Sequence, residues 1–160
     1  DDVNIGENNG RHIYGLKWSE RNDKPCYIDV FTGGFVRGSF EPLTRDGEVH
    51  GSECKVKKTS TKEITFGMPT GGEYWAVDGV KVCLNKKGTR LKGIKLYAEK
   101  VDKGDLTGAT TSKSVERTNC ADWQSAKKCP DGQIASELNF GWSNGAITSI
   151  ELECSEYDWE

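Results

Sequence analysis

The stretch Cys129-Pro130-Asp131-Gly132-Gln133-Ile134-Ala135-Ser136-Glu137-Leu138-Asn139-Phe140-Gly141-Trp142-Ser143-Asn144-Gly145-Ala146-Ile147-Thr148-Ser149-Ile150-Glu151-Leu152-Glu153-Cys154 decides the fold. It holds two runs of period two. Ile134, Leu138 and Phe140 share one face of the first, and Ile150, Leu152 and Cys154 share one face of the second. Successive strand side chains point to opposite faces, so each run predicts a half-buried strand with Gln, Glu or Asn outward. Gly141-Trp142-Ser143-Asn144-Gly145 between them is turn chemistry, because Gly and Asn tolerate the positive φ of tight reversals. A cysteine stands at each end, where a disulfide would tie the first strand to the last.

Outward from this unit the same plan recurs. Three units, roughly 14–58, 64–120 and 121–156, each carry a tryptophan upstream (Trp18, Trp75, Trp123) and a cysteine soon after (Cys26, Cys83, Cys129). Each continues with a glycine turn, a strand and a closing cysteine (Cys54, Cys120, Cys154). Internal repetition shapes a fold more than local propensity does. Three sheet-forming units packed face to face around one apolar core would remove most exposed edges. The repeat predicts the disulfides Cys26–Cys54, Cys83–Cys120 and Cys129–Cys154, out of the 15 pairings that six cysteines allow.

Taken in order, residues 1–10 are polar and glycine-bearing, a loop or weak edge strand. Residues 11–18 alternate as a strand, and Ser19 to Pro25 is charged and turn-like. Cys26 to Val36 predicts a strand, a turn or bulge at Gly33-Gly34, and a second strand, before a polar loop from Glu41 to Gly51. Ile64, Phe66 and Met68 share a face, and a turn at Pro69 to Gly72 leads to Tyr74 and Trp75. Val80, Val82 and Leu84 alternate, Asn85 to Gly88 turns the chain, and Ile94, Leu96 and Ala98 follow opposite Lys95, Tyr97 and Glu99. Residues 101–119, rich in Lys, Asp, Thr and Ser, predict a long loop. No apolar i, i+3, i+4, i+7 stripe persists with caps, so no helix is expected.

The composition agrees. A chain of 160 residues is expected to form one domain with its own core. A formal charge of −3 disfavours nucleic acid, which would call for a basic stripe. No apolar run approaches the ~20 residues of a membrane helix. Nineteen glycines against one methionine, with short strand-like runs between turn signals, favour an all-β chain. Six cysteines, no Cys-x-x-Cys pair and two histidines make a poor metal set and a good disulfide set. Disulfides persist in oxidising compartments, so the chain reads as secreted and extracellular. Nothing at its start resembles a targeting peptide, so a secreted form would begin, mature, at Asp1.

Two sets of residues carry a resemblance. One is Met68-Pro69-Thr70-Gly71-Gly72-x-x-Trp75 followed by Cys83. The other is Trp123, Cys129-Pro130-x-Gly132 and the closing Ala146-Ile147-x-x-Ile150-x-Leu152-x-Cys154. Over about 64–156 the chain resembles the repeats of the vitelline-membrane outer-layer proteins. The resemblance implies a β-prism of three Greek-key sheets, a fold shared by jacalin-related lectins of plants and marine invertebrates. The chain lacks the vitelline family's paired-aspartate segment before each closing strand. Gly145-Ala146-Ile147-Thr148 places threonine where jacalin-related lectins carry a sugar-binding aspartate.

Catalytic signals are weak. Gly141-Trp142-Ser143-Asn144-Gly145 has the letters of a nucleophile elbow, but that elbow needs a helix after it and a later histidine. Here a strand is expected to follow, and His12 and His50 both precede it. Glu151 and Glu153 read as a solvated strand face rather than a glycosidase pair. No calcium loop of the Asp-x-Asp-x-Asp-Gly type is present, and Val101 to Asp105 reads as loop polarity. No enzyme activity, metal or cofactor is expected.

A sugar site wants an aromatic platform, amide or carboxylate side chains for hydroxyls, and closely approaching glycine backbone. Three loops offer that kit: Asn8, Asn9 and Gly10 in the first; Gly72, Tyr74, Trp75 and Asp78 in the second; Gly141, Trp142, Ser143 and Asn144 in the third. The expectation is a secreted lectin for mono- or oligosaccharides or glycoproteins, with no nucleic acid and no membrane partner. A homodimer and a mineral or matrix surface stay open. The alternatives are a structural extracellular-coat protein of the vitelline type and, third, a glycan-active enzyme.

Overall fold

Thirteen strands and no helix form among the residues that the computed structural model describes, namely 3–5, 11–36, 39–42, 48–50, 60–69 and 73–157. They are β1 (Val3–Ile5), β2 (Arg11–Arg21), β3 (Lys24–Val36), β4 (Ser39–Pro42), β5 (Glu48–His50), β6 (Ser60–Thr65), β7 (Glu73–Leu84), β8 (Leu91–Asp102), β9 (Asp105–Glu116), β10 (Asp122–Trp123), β11 (Lys127–Lys128), β12 (Gln133–Ser143) and β13 (Ala146–Glu156). All pairings are antiparallel and make three sheets. The first runs β4-β3-β2-β6 with β5 also on β3; the second runs β10-β7-β8-β9 with β11 also on β7; the third is β1-β12-β13.

Three hairpins turn on two residues that both have positive φ: Asn22-Asp23 (50° and 65°), Lys103-Gly104 (52° and 83°) and Asn144-Gly145 (53° and 75°). That geometry matches the right-handed twist of the flanking strands, which is why Asn, Asp and Gly recur there. The charged stretch from Ser19 to Pro25 is therefore mostly strand, with only two residues in the turn. The expected five-residue turn at 141–145 likewise shrinks to Asn144-Gly145. Trp142 pairs with Ile147 and Ser143 with Ala146 across it.

Two further expectations are corrected. Residues 105–116 are not loop but a twelve-residue strand, paired to β8 from Asp102↔Asp105 to Gly93↔Glu116. Its side chains are mostly exposed, so backbone pairing rather than apolar alternation holds it. Gly33-Gly34 does not turn; β3 runs straight through it, and these glycines face Pro42 and Glu41. A Cβ at Gly33 would collide with the Glu41 carbonyl and the Phe40 ring, so close approach explains that glycine. Parts of the expected 41–51 loop also pair with β3, as β4 and β5.

One core lies between the sheets. Leu16, Trp18 and Ile28 from the first, Val80, Leu91, Ile94 and Leu96 from the second, and Leu138, Phe140, Ile147 and Ile150 from the third belong to a single buried cluster. The alternation read from 94–98 holds. Over 134–140 it does not, because residues 134–138 are all buried and Ile134 packs in a different cluster from Leu138 and Phe140. Leu152 and Cys154 are only half-buried, and Met68 is exposed. A bulge between Ala135 and Glu137 breaks the period, so that Ala135 joins Leu138 and Phe140 in the main core and Ile134 leaves their face; Glu137, expected outward, is buried as well. The sheets are bounded differently from the sequence units: β6 closes the first sheet, and Trp123 on β10 joins the second by pairing with Cys83.

Cys83–Cys120 and Cys129–Cys154 are formed, closing loops of 37 and 25 residues that stabilise by roughly 3 kcal/mol each in the loop-entropy model. Cys26 is also disulfide-bonded, and Cys54 of the expected Cys26–Cys54 pair lies outside the described residues.

The first two sheets are joined by a buried ion cluster. Lys92 on β8 is fully buried, and its Nζ donates to Glu20 Oε2 at 2.9 Å, Asp23 Oδ1 at 2.5 Å and the Asp23 carbonyl at 2.8 Å. Arg117 Nε lies 3.2 Å from the same Glu20 carboxylate, and its guanidinium donates to Ser60. Glu20→Gln with Asp23→Asn keeps the shapes but leaves the Lys92 ammonium buried without a carboxylate. That pair of changes is expected to cost about 3 kcal/mol, the scale of a broken buried ion pair. Lys92→Met should cost less, because half-exposed Asp23 can regain water. Urea unfolding of both variants checks the order.

Candidate functional site

Three turns, one from each sheet, meet at one end of the molecule. They are Asn22-Asp23 between β2 and β3, residues 85–90 between β7 and β8, and Asn144-Gly145 between β12 and β13. The middle loop is organised by the Asn85 side chain, whose Oδ1 accepts from the backbone N–H of Thr89 at 2.8 Å and of Arg90 at 3.2 Å. Arg90 Nη1 then donates to Asp23 Oδ2 at 2.9 Å, and Asn119 Nδ2 donates to Asp23 Oδ1 at 2.9 Å. Lys92 chiefly, with Asn119 and Arg90, holds the Asp23 carboxyl below the usual range. Asp23 is thus the pin that fixes one turn against the next.

Between the turns lies a cleft of about 580 Å³, lined by Lys24, Lys87, Thr89, Arg90, Ser143, Asn144 and Thr148. A second hollow of about 550 Å³ opens beside it around Asp23, Lys86, Thr118 and Asn119. The lining is hydroxyl, amide and cation. It can donate to and accept from a hydroxylated ligand, but it presents no nucleophile with a base beside it.

The expected sugar residues divide between the two ends. Ser143 and Asn144 are exposed and line the cleft. Trp142 is half-buried and packs on the main core. Gly141 lies opposite Ser149, whose hydroxyl a Cβ there would strike. At the other end Tyr74 is buried, its hydroxyl 2.8 Å from the Tyr157 hydroxyl and 3.3 Å from His12 Nδ1, a strut from β7 to β2 and to the residue just after β13. Trp75 is half-buried on β7. Asp78 sits in the β7 bulge, where burial pushes its carboxyl up and Lys128 opposes the shift. Asn8, Asn9, Gly10 and residues 70–72 of the expected turn, Gly72 included, lie outside the described residues, as does the side chain of His50.

Lys24, Thr89, Arg90 and Thr148 were not anticipated. Each sits on or beside a turn that reads as mere chain reversal, and only the meeting of three turns gives them a common cavity. Among the described residues no group of three or more His, Cys, Asp or Glu is placed to hold a metal ion. No protein-family model matches the chain, and the search of curated proteins finds no match.

His12 is the one buried imidazole described, with the Tyr74 and Tyr157 rings edge-on at 5.6 and 5.5 Å. Burial lowers its pKa to about 4, so it is neutral in the fold at neutral pH. Unfolding restores an ordinary pKa near 6.5, so the unfolded chain binds the extra proton between those values. Stability from this residue is therefore full above about pH 6.5 and falls by about 3 kcal/mol as pH drops through that window. Thermal melts from pH 7 to pH 4 should show the loss in the native chain and a flatter profile in His12→Gln.

Proposed function

We propose that the chain is a secreted, non-enzymatic carbohydrate-binding protein of β-prism type that holds sugars in the cleft between its three converging turns. One observation carries the reading: hairpin turns of three different sheets surround an open cleft of about 580 Å³ whose rim is Ser143, Asn144, Thr148 and Thr89. Small-ligand sites range over roughly 300–1,000 Å³, so the volume suits one or two sugar rings. Hydroxyl and amide groups that both donate and accept are what a rim of sugar hydroxyls requires.

Strand order supports the prism. In the second sheet β7, β8 and β9 follow one another and β10 returns beside β7. In the first, β2, β3 and β4 follow one another and β6 returns beside β2. Three consecutive strands with a fourth returning beside the first is a Greek-key order. The third sheet takes β1 from the other end of the chain as the neighbour of β12. Two formed disulfides suit an oxidising, extracellular setting.

In this reading Trp142 supports the cleft from beneath rather than stacking on the sugar, since it packs on the core. A single such site binds weakly, so useful affinity would come from several sites or subunits. Ser143→Tyr fills the cleft from an exposed position. It should weaken binding to the preferred glycan on an array by roughly tenfold or more while leaving the thermal midpoint unchanged. Trp142→Ala should instead cost about 2 kcal/mol of stability, less than full aromatic truncation because the ring is only half-buried. An array on which the native chain retains no saccharide would refute the proposal.

A further inference from the structure

The outer face of the second sheet carries an arrangement that neither the core nor the cleft explains. Lys81 on β7 and Lys95 on β8 are direct cross-strand partners. Like charges directly opposite each other destabilise a sheet. Among the described residues neither has an ion-pair partner, and nor does Lys128 on β11. Each ammonium lies instead near an aromatic ring: Lys128 at 4.3 Å and Lys95 at 5.2 Å from the Tyr97 centroid, Lys81 at 5.7 Å from that of Trp123.

Two glycines make the arrangement possible. Gly79 lies between Lys128 and Tyr97 in register, and a Cβ there would meet the Lys128 stem at 3.0 Å and Tyr97 at 3.2 Å. Gly93 lies beneath Trp123, whose Cη2 would be 3.2 Å from a Cβ at that position. The indole therefore lies across the sheet and is half-exposed, not in the core. Exposed Ser112 and Ser114 on β9 continue the rows of Tyr97 and Lys95.

We propose that this face, centred on Lys95 between Lys81, Lys128 and the Trp123 ring, binds a saccharide residue bearing a sulfate ester or a carboxylate. The anion lies among three ammonium groups that make no ion pair among the described residues, the indole takes the ring's C–H face, and the serines take hydroxyls. Adjacent strands are about 4.8 Å apart, so the lysines converge on one or two anionic groups rather than a long row. Acids bound the patch on both sides, Glu116 opposite Gly93 and Glu99 with Asp78 and Asp131 beyond Tyr97. A phosphodiester chain making six or more contacts would run across those acids. This inference shares the carbohydrate reading but uses a different surface, so the two fail separately.

The test is surface binding of the native chain to three immobilised polymers at low and high salt: heparin, its desulfated form that keeps the uronates, and a sulfated dextran without uronates. Binding to at least one charged polymer, weakening with salt, is expected; the second and third polymers show whether carboxylate or sulfate is read. Lys81→Gln/Lys95→Gln/Lys128→Gln should weaken that binding by roughly tenfold or more, as losing three counterion-releasing contacts implies. Its thermal midpoint should stay level or rise, because a like-charge pair is relieved. Lys87→Gln, at the cleft, should leave polymer binding unchanged. No retention on any polymer, undiminished binding by the triple variant, or duplex DNA competing as well as heparin would each overturn the proposal.

Discussion

Burying three sheet faces against one another is the constraint on which everything else rests. A single antiparallel sheet of three or four strands has one apolar face and needs something to cover it. Here each sheet is covered by the other two, and residues from all three belong to one buried cluster. The turns at the ends of the sheets are thereby brought close enough for Arg90 to reach Asp23. The end cleft is a by-product of that geometry, refined by the Asp23 and Lys92 contacts that fix two of its walls.

The two ends of the molecule differ in kind. One is wet and open, edged with hydroxyls, amides and cations. The other is closed by aromatic packing, with His12 on β2, Tyr74 on β7 and Tyr157 just after β13 in contact. A second small apolar cluster of Tyr74, Ala76, Val101 and Ile134 lies at that closed end. Closure gives rigidity and acid sensitivity; openness leaves room for a ligand.

Much of the fold was legible because exposure alternates where one face of a strand is buried. Ile94, Leu96 and Ala98 against Lys95, Tyr97 and Glu99 is that pattern, and it is what the sheet shows. Legibility failed where the cause is not apolar alternation. β9 is held by backbone pairing under Thr, Ser and Lys side chains, a composition that also describes loops. Gly33-Gly34 signals close approach of β4, which looks the same in sequence as a turn. The bulge at Ala135–Glu137 puts Ala135 rather than Ile134 on the face of Leu138 and Phe140, and no single-residue signal marks it. The site was less legible than the fold. Ser143 and Asn144 could be read from turn chemistry, whereas Tyr74 reads as a platform until its hydroxyl is found bonded across sheets. Trp123 followed the repeat and so suggested core, yet Gly93, two strands away on β8, lets it lie outside.

The disulfides have a consequence for how such a chain can change over generations. Cys83–Cys120 joins the end of β7 to the connection between β9 and β10, and Cys129–Cys154 joins the residue after β11 to β13. The second of them ties the edge of the second sheet, where the Cys129 N–H donates to the Asp78 carbonyl of β7, to the third sheet. Each of these two cross-links nevertheless lies within one continuous stretch of sequence, and such a stretch can be duplicated, exchanged or let drift without leaving a thiol orphaned elsewhere. What must be kept in common is only the shape of the shared interior. Unequal drift among three such segments would leave recognisable cysteine spacing around diverged surfaces.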